Sequence, residues 1–181
     1  MSDAKTEIDE ALSNFIRKQQ VFFVATAPRA DDGHINLSPK GLDSFRILSP
    51  QRVAWADYVG SGVETVAHLK ENGRIVVMFC AFEGKPGIVR IHGIGRAIEP
   101  SSSDFPEAVA VFGSDVGVRS VIEIDVQRVA RTCGFGVPLM SYDGQREDLP
   151  RWCDNKGPDR LLDYQRKKNT ESLDGLTGVE L

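Results

Sequence analysis

Apolar residues along this chain change their spacing from one segment to the next. Ile8, Ala11, Leu12, Phe15 and Ile16 recur at helical spacing and predict an amphipathic helix over Glu7–Arg17. "VFFVATA" (Val21–Ala27) is β-branched and aromatic and predicts a strand. After the turn material "PRADDG", "HINLSPKG" alternates Ile35 and Leu37 with Asn36 and Ser38, which predicts an antiparallel return strand ending near Pro39. Further strands are predicted over Arg52–Tyr58, Arg74–Phe82, Ile88–Glu99 and Val118–Ala130. Between the first two of these, Val63–Asn72 has helical spacing and stops at Gly73, a residue suited to the left-handed cap. "SSSDFPEAVAVFG" predicts a short helix behind several N-cap residues.

The strands follow one another through hairpin-like turns, so an antiparallel sheet is favoured over repeated βαβ units. The expected fold is mainly β with flanking helices, a six-stranded antiparallel barrel that leaves no free edge. The barrel is expected over residues 1–131. Residues 132–181 are richer in Gly, Pro and charge and are expected to form an extension, with a short helix or two, packing on the barrel or on a partner subunit.

Composition narrows the classes. With 181 residues, 41% hydrophobic and 27% charged, the chain is of ordinary globular type. A net charge of -4 removes any global basic footprint for nucleic acid, so an anion site has to be local. Cys80, Cys133 and Cys153 form no C-x-x-C and are expected as free thiols. The polar start lacks the apolar core of a signal peptide, and no apolar run is long enough for a bilayer, so the expected location is cytoplasmic.

The chemistry concentrates in "YVGSGVET" (Tyr58–Thr65), where a strand becomes a helix. A helix start offers free N–H groups and partial positive charge. Gly60 and Gly62 allow an anion near the backbone, and Ser61 and Thr65 add hydroxyls. An ordinary strand–helix turn with Ser61 as N-cap is the alternative. A P-loop is excluded because no Lys follows Gly62, and a nucleophile elbow because Val59 and Val63 stand where it needs glycines. "NLSPKG" (Asn36–Gly41) offers a second candidate, with Lys40 a point charge suited to phosphate. Arg90 interrupts an apolar strand and, if buried, needs a partner, for which an anion is one choice. His68 is expected to be exposed on the helix, and His34, His68 and His92 lack metal-ligand spacing.

The order of "VFFVATA", "LSPKG", "YVGSGVETVAHLKENGRIVVMF" and "VRIHGIGRA" resembles the pyridoxamine 5'-phosphate oxidase-like family of flavin-binding split barrels, over about Phe15–Glu99. The tail from "CGFGVPLM" to "SLDGLTG" resembles an extension carried by a subgroup of that family. The resemblance implies an FMN-dependent oxidoreductase acting on a small molecule, with the flavin between the subunits of a homodimer. It implies Ser38, Lys40, Ser61 and Thr65 as phosphate or flavin contacts, Tyr58 and Gly60 lining the site, and Arg90 as a further contact. The alternatives it leaves are a deazaflavin-dependent reductase, a flavin-binding stress-related module without turnover, and a dimeric barrel without flavin. Ser61-Gly62-Val63 departs from the Ser-Arg-Lys of the true oxidases. Two cations are missing, so efficient oxidation of pyridoxine or pyridoxamine phosphate is not expected.

Overall fold

The computed structural model describes residues 4–181. Helix α1 (Glu10–Ile16) starts at Asp9, whose carboxylate accepts the Leu12 N–H at 2.8 Å, and buries Leu12 and Ile16. Seven strands follow: β1 (Phe22–Thr26), β2 (Asn36–Lys40), β3 (Phe45–Ser49), β4 (Arg52–Tyr58), β5 (Arg74–Cys80), β6 (Ile88–Ile98) and β7 (Val118–Thr132). Helix α2 (Glu64–Asn72) joins β4 to β5, and α3 (Phe105–Ala110) joins β6 to β7. The helical run α4 (Asp148–Lys168) breaks at Gly157, which has φ +71° and is followed by Pro158. Among the described residues, no helix is long and apolar enough to cross a membrane.

One antiparallel sheet contains all seven strands in the order β2-β1-β5-β6-β7-β4-β3. The count is a correction: the expected set of six lacks β3. The sheet curls around a core of Val24, Val53, Trp55, Val77, Phe79, Ile91, Ile122 and Ile124. Its end strands are not hydrogen-bonded to each other. The end strand β3 packs by side chains on β1 and β5 instead: Phe45 of β3 lies 5.2 Å from Phe22 of β1 and 5.0 Å from Phe79 of β5, measured between ring centroids. Each such aromatic pair adds about 0.5–1.5 kcal/mol beyond its burial. A second cluster under α3 joins Ala54, Ala56 and Val121 to Val109 on the other face of the sheet.

Register decides which side of β2 faces inward. Lys40, Ser38 and Asn36 stand opposite Phe22, Val24 and Thr26, whose side chains are buried, so the three polar residues share the interior side. Leu37 and Pro39, opposite Ala25 and Phe23, take the outer side. Ile35, just before β2, is 77% exposed and Leu37 is 66% exposed.

Candidate functional site

β4 brings Val53, Trp55 and then Asp57 to the inward side of the sheet, so a carboxylate follows two core residues. Asp57 is 0% exposed and receives a cation on each oxygen. Lys40 Nζ donates to Oδ1 at 3.1 Å, and Arg119 Nε donates to Oδ2 at 2.8 Å. Ser120 Oγ lies 3.4 Å from the same Oδ2. Burial alone would raise the Asp57 pKa, but the charges of Arg119 and Lys40 and their hydrogen bonds hold it down to about 2. Two cations on one carboxylate leave a local excess of positive charge. Lys40 can share it outward, because its side chain is 22% exposed.

The chain leaves β4 through Val59–Val63 and enters α2. Val59 is buried against Cys153 and Leu161 of α4. Arg119 Nη1 donates to Gly62 O at 2.5 Å and, more weakly, to Gly60 O at 3.4 Å; Asn169 Nδ2 donates to Gly60 O at 2.8 Å. The N-cap of α2 is Val63 without a side-chain bond, and Ser61 is exposed, so the Ser61-capped turn is not what forms. Gly73 closes the helix at φ +69°. The chain's last residues fold over this helix start. Glu64 Oε1 accepts Leu173 N–H at 3.4 Å, Val179 is buried in the main core, and Lys70 Nζ reaches Gly178 O at 2.6 Å. Asp174 accepts from His34 through the backbone N–H at 2.8 Å and pairs with ring Nδ1 at 2.6 Å, which raises the His34 pKa and lowers that of Asp174.

Further along β2, Asn36 Nδ2 donates to Thr65 Oγ1 at 3.0 Å and to Thr26 Oγ1 at 3.2 Å. Thr26 Oγ1 sits 2.9 Å from His68 Nδ1. His68 Nε2, on the other side of the ring, is buried with no hydrogen-bond partner among the described residues. His68 is fully buried, a correction to its expected exposure, and burial lowers its pKa. Ser38 Oγ is buried and has no hydrogen-bond partner among the described residues.

Lys40 also lines a cleft of about 1380 Å³. Its walls come from α1, the ends of β1 and β2, the turn after β5 and the segment Met140–Leu149. That segment is held across the cleft by Met140 N–H to Phe82 O at 3.0 Å and by Leu42 N–H to Gln145 Oε1 at 3.0 Å. Phe15, Phe23, Phe82 and Tyr142 supply aromatic wall, and Lys18, Lys40, Lys85, Arg131 and Arg146 supply cations. The Arg131 guanidinium lies 5.0 Å from the Phe15 ring centre.

Of the residues predicted from sequence, Lys40 lines the cleft, Ser38 shares its inner side of β2, and Gly60, Ser61 and Thr65 sit at the β4–α2 junction, outside the cleft walls. Tyr58 falls on the other face of the sheet, partly buried in the cluster of Ala54, Ala56 and Val118 under α3. Arg90 stands apart. It pairs in register with Met78 and Ala130, is partly exposed, and donates to Thr132 Oγ1 at 3.3 Å, so its partner is a neighbouring strand rather than this region. Asp57 and Arg119 were not legible as site residues. The signal available was parity: Asp57 continues the Val53, Trp55 series, and Arg119 interrupts an apolar run as Arg90 does.

Comparison with known proteins gives a consistent picture. The pyridoxamine 5'-phosphate oxidase family profile matches residues 8–133. Over 191 aligned residues the chain is 41% identical to ustO of Aspergillus flavus, a pyridoxamine 5'-phosphate oxidase family protein, covering 94% of this chain and 76% of that protein. The crystal structure of HupZ from Group A Streptococcus aligns with a TM-score of 0.56 at 21% identity, covering 70% of this chain and 94% of that one. An FMN-binding protein from Syntrophomonas wolfei aligns with a TM-score of 0.52 at 13% identity, covering 69% of this chain and 85% of that one. At these identities the two structural likenesses speak to the fold.

Proposed function

The chain belongs to the pyridoxamine 5'-phosphate oxidase family, and from that premise we propose that it binds FMN and carries out a redox reaction on a small molecule. The observation that carries this reading is that Lys40 lines the aromatic, cation-containing cleft and also donates to Asp57, whose other oxygen anchors the Arg119 that holds the glycine-containing β4–α2 turn. A flavin mononucleotide is a flat aromatic ring system joined to a dianion. The aromatic walls suit the ring, and the excess positive charge beside Asp57 suits the phosphate. Ser38 Oγ, buried without a partner, is a polar atom that a ligand group satisfies. The residues therefore fit the cofactor.

In this reading Lys40 and Ser61 hold the phosphate, with Ser38, Gly60 and Thr65 around it; Tyr58, packed on the other face of the sheet under α3, is left out of the set. Thr65 Oγ1 accepts from Asn36 Nδ2, which fixes Asn36 on β2 and leaves the hydroxyl proton free to donate. The bound flavin supplies the hydride chemistry. The chain's own groups bind, orient and shield it, so no nucleophile or buried base is required of them. The exposed outer side of β2, with Ile35 and Leu37 beside Phe23, is the surface on which a second copy packs to form a homodimer. Gly62 and Val63 in place of cations at the helix start make pyridoxine phosphate a poor substrate.

The test is the visible spectrum of the purified protein, followed by mass measurement of any cofactor it releases. A yellow protein releasing FMN supports the reading. A colourless protein that takes up no FMN refutes it, and release of a deazaflavin mass moves the redox chemistry to that coenzyme.

A further inference from the structure

We propose that Arg119 is a positioning residue that sets the Gly60–Val63 turn to receive the anionic end of the ligand, without touching the ligand itself. This rests on the flavin reading above. Arg119 is 4% exposed, and its recorded hydrogen bonds all run inward: Asp57 at 2.8 Å, Gly62 O at 2.5 Å and Gly60 O at 3.4 Å. The carbonyls it holds belong to the peptide groups Gly60–Ser61 and Gly62–Val63. No cis peptide bond is present among the described residues, and in a trans peptide the N–H points opposite to the C=O. Holding the two carbonyls toward Arg119 therefore turns the N–H groups of Ser61 and Val63 away from it. Two donors so directed, one on each side of Gly62, offer a small anion-binding edge. The space is open at Gly60, where a built Cβ meets nothing within 4 Å, and at the exposed Ser61 side chain; at Gly62 a built Cβ meets Glu64 Oε2 at 2.5 Å, so the Glu64 carboxylate has to turn aside for an anion. Asp57 anchors Arg119 in turn, and Asn169 adds a second donor to Gly60 O at 2.8 Å.

A lysine cannot take this role. Its ammonium is one point charge on a flexible stem, whereas the guanidinium separates the nitrogen that meets Asp57 from the one that meets the carbonyls. Arg119→Lys thus keeps a cation for the buried carboxylate and gives up the hold on the turn.

The experiment titrates FMN and riboflavin into cofactor-stripped parent and Arg119→Lys proteins, with amide hydrogen exchange over Val59–Glu64 measured in both. The expected result is a loss of roughly tenfold in FMN affinity, the scale of one hydrogen bond to a charged group. Riboflavin, which has no phosphate, should change by less than about twofold. Exchange at Ser61 and Val63 should rise. Asn169→Ala, a milder change at the same carbonyl, should shift FMN in the same direction by less. Equal losses for both flavins would make Arg119 a residue of the fold and overturn the proposal, as would unchanged FMN affinity. If the parent binds neither flavin, the flavin reading falls, and the assignment of Arg119 to the turn falls separately if exchange at Ser61 and Val63 is the same in both proteins.

Discussion

Replacing Asp57 by Asn keeps the shape of the side chain and removes the charge between Lys40 and Arg119. The buried amide then offers one oxygen to two cations and turns an N–H donor toward one of them. Two charge-assisted bonds are lost, at 3.1 and 2.8 Å, each worth about 1.5–3 kcal/mol. Lys40 recovers part of its share by turning to solvent, since it is partly exposed, while Arg119 cannot. The expected destabilisation is therefore about 3–4 kcal/mol, within the range for breaking a buried pair. For a chain of this size that lowers Tm by roughly 6–15 °C. Urea denaturation near neutral pH measures it directly. The pH dependence has a definite sign. The folded pKa of Asp57 is about 2, below the ordinary 3.8, so its stabilisation is complete above 3.8 and is lost as pH falls toward 2. The gap between parent and variant should narrow across that window. A neutral-pH loss under about 1 kcal/mol, with no narrowing in acid, would refute the assignment of Asp57 as the anchor of both cations.

Three further outcomes follow from the same contacts. Lys40→Ala should weaken FMN about tenfold or more and leave riboflavin nearly unchanged, as read by flavin fluorescence; equal losses would remove Lys40 from the phosphate. His34→Ala should lower Tm near pH 6 and have little effect near pH 9, because a raised histidine pKa gives stability that is present below 6.5 and lost as pH rises through the folded value. Leu37→Asp should convert a dimer to monomers in light scattering, and a parent that is monomeric with flavin bound would exclude the proposed interface.

Much of the sheet was legible because period and composition agreed. Arg52–Tyr58 forms β4 as expected, and Gly73 takes the left-handed cap its position implied. β3 was hidden for two local reasons. "FRILS" alternates poorly, and the corner leading into it places Leu42 and Asp43 at φ +61° and +51°, a conformation usually announced by glycine. Lys40 and the "GSG" turn are candidates from residue type and local order, and the structure shows Lys40 on the buried carboxylate and the turn leading into α2. The Asp57–Arg119 pair could not, because its partners are 62 residues apart in sequence and meet only once β4 and β7 are in register. Arg90 shows the converse error: an arginine inside an apolar strand needs a partner, but a threonine on the adjacent strand is enough. The burial of His68 likewise depends on which face α2 presents to β1 and β6, with Thr26 waiting at Nδ1.

The central claim is that this chain holds FMN, with its phosphate at Lys40 and the β4–α2 turn. Fluorescence titration of FMN into cofactor-stripped protein tests it most directly, with riboflavin titrated alongside. The predicted result is saturable quenching at about one FMN per chain, with a dissociation constant on the order of micromolar or lower and riboflavin at least about tenfold weaker. Absence of FMN binding up to about a hundred micromolar, or equal affinity for the two flavins, would contradict it.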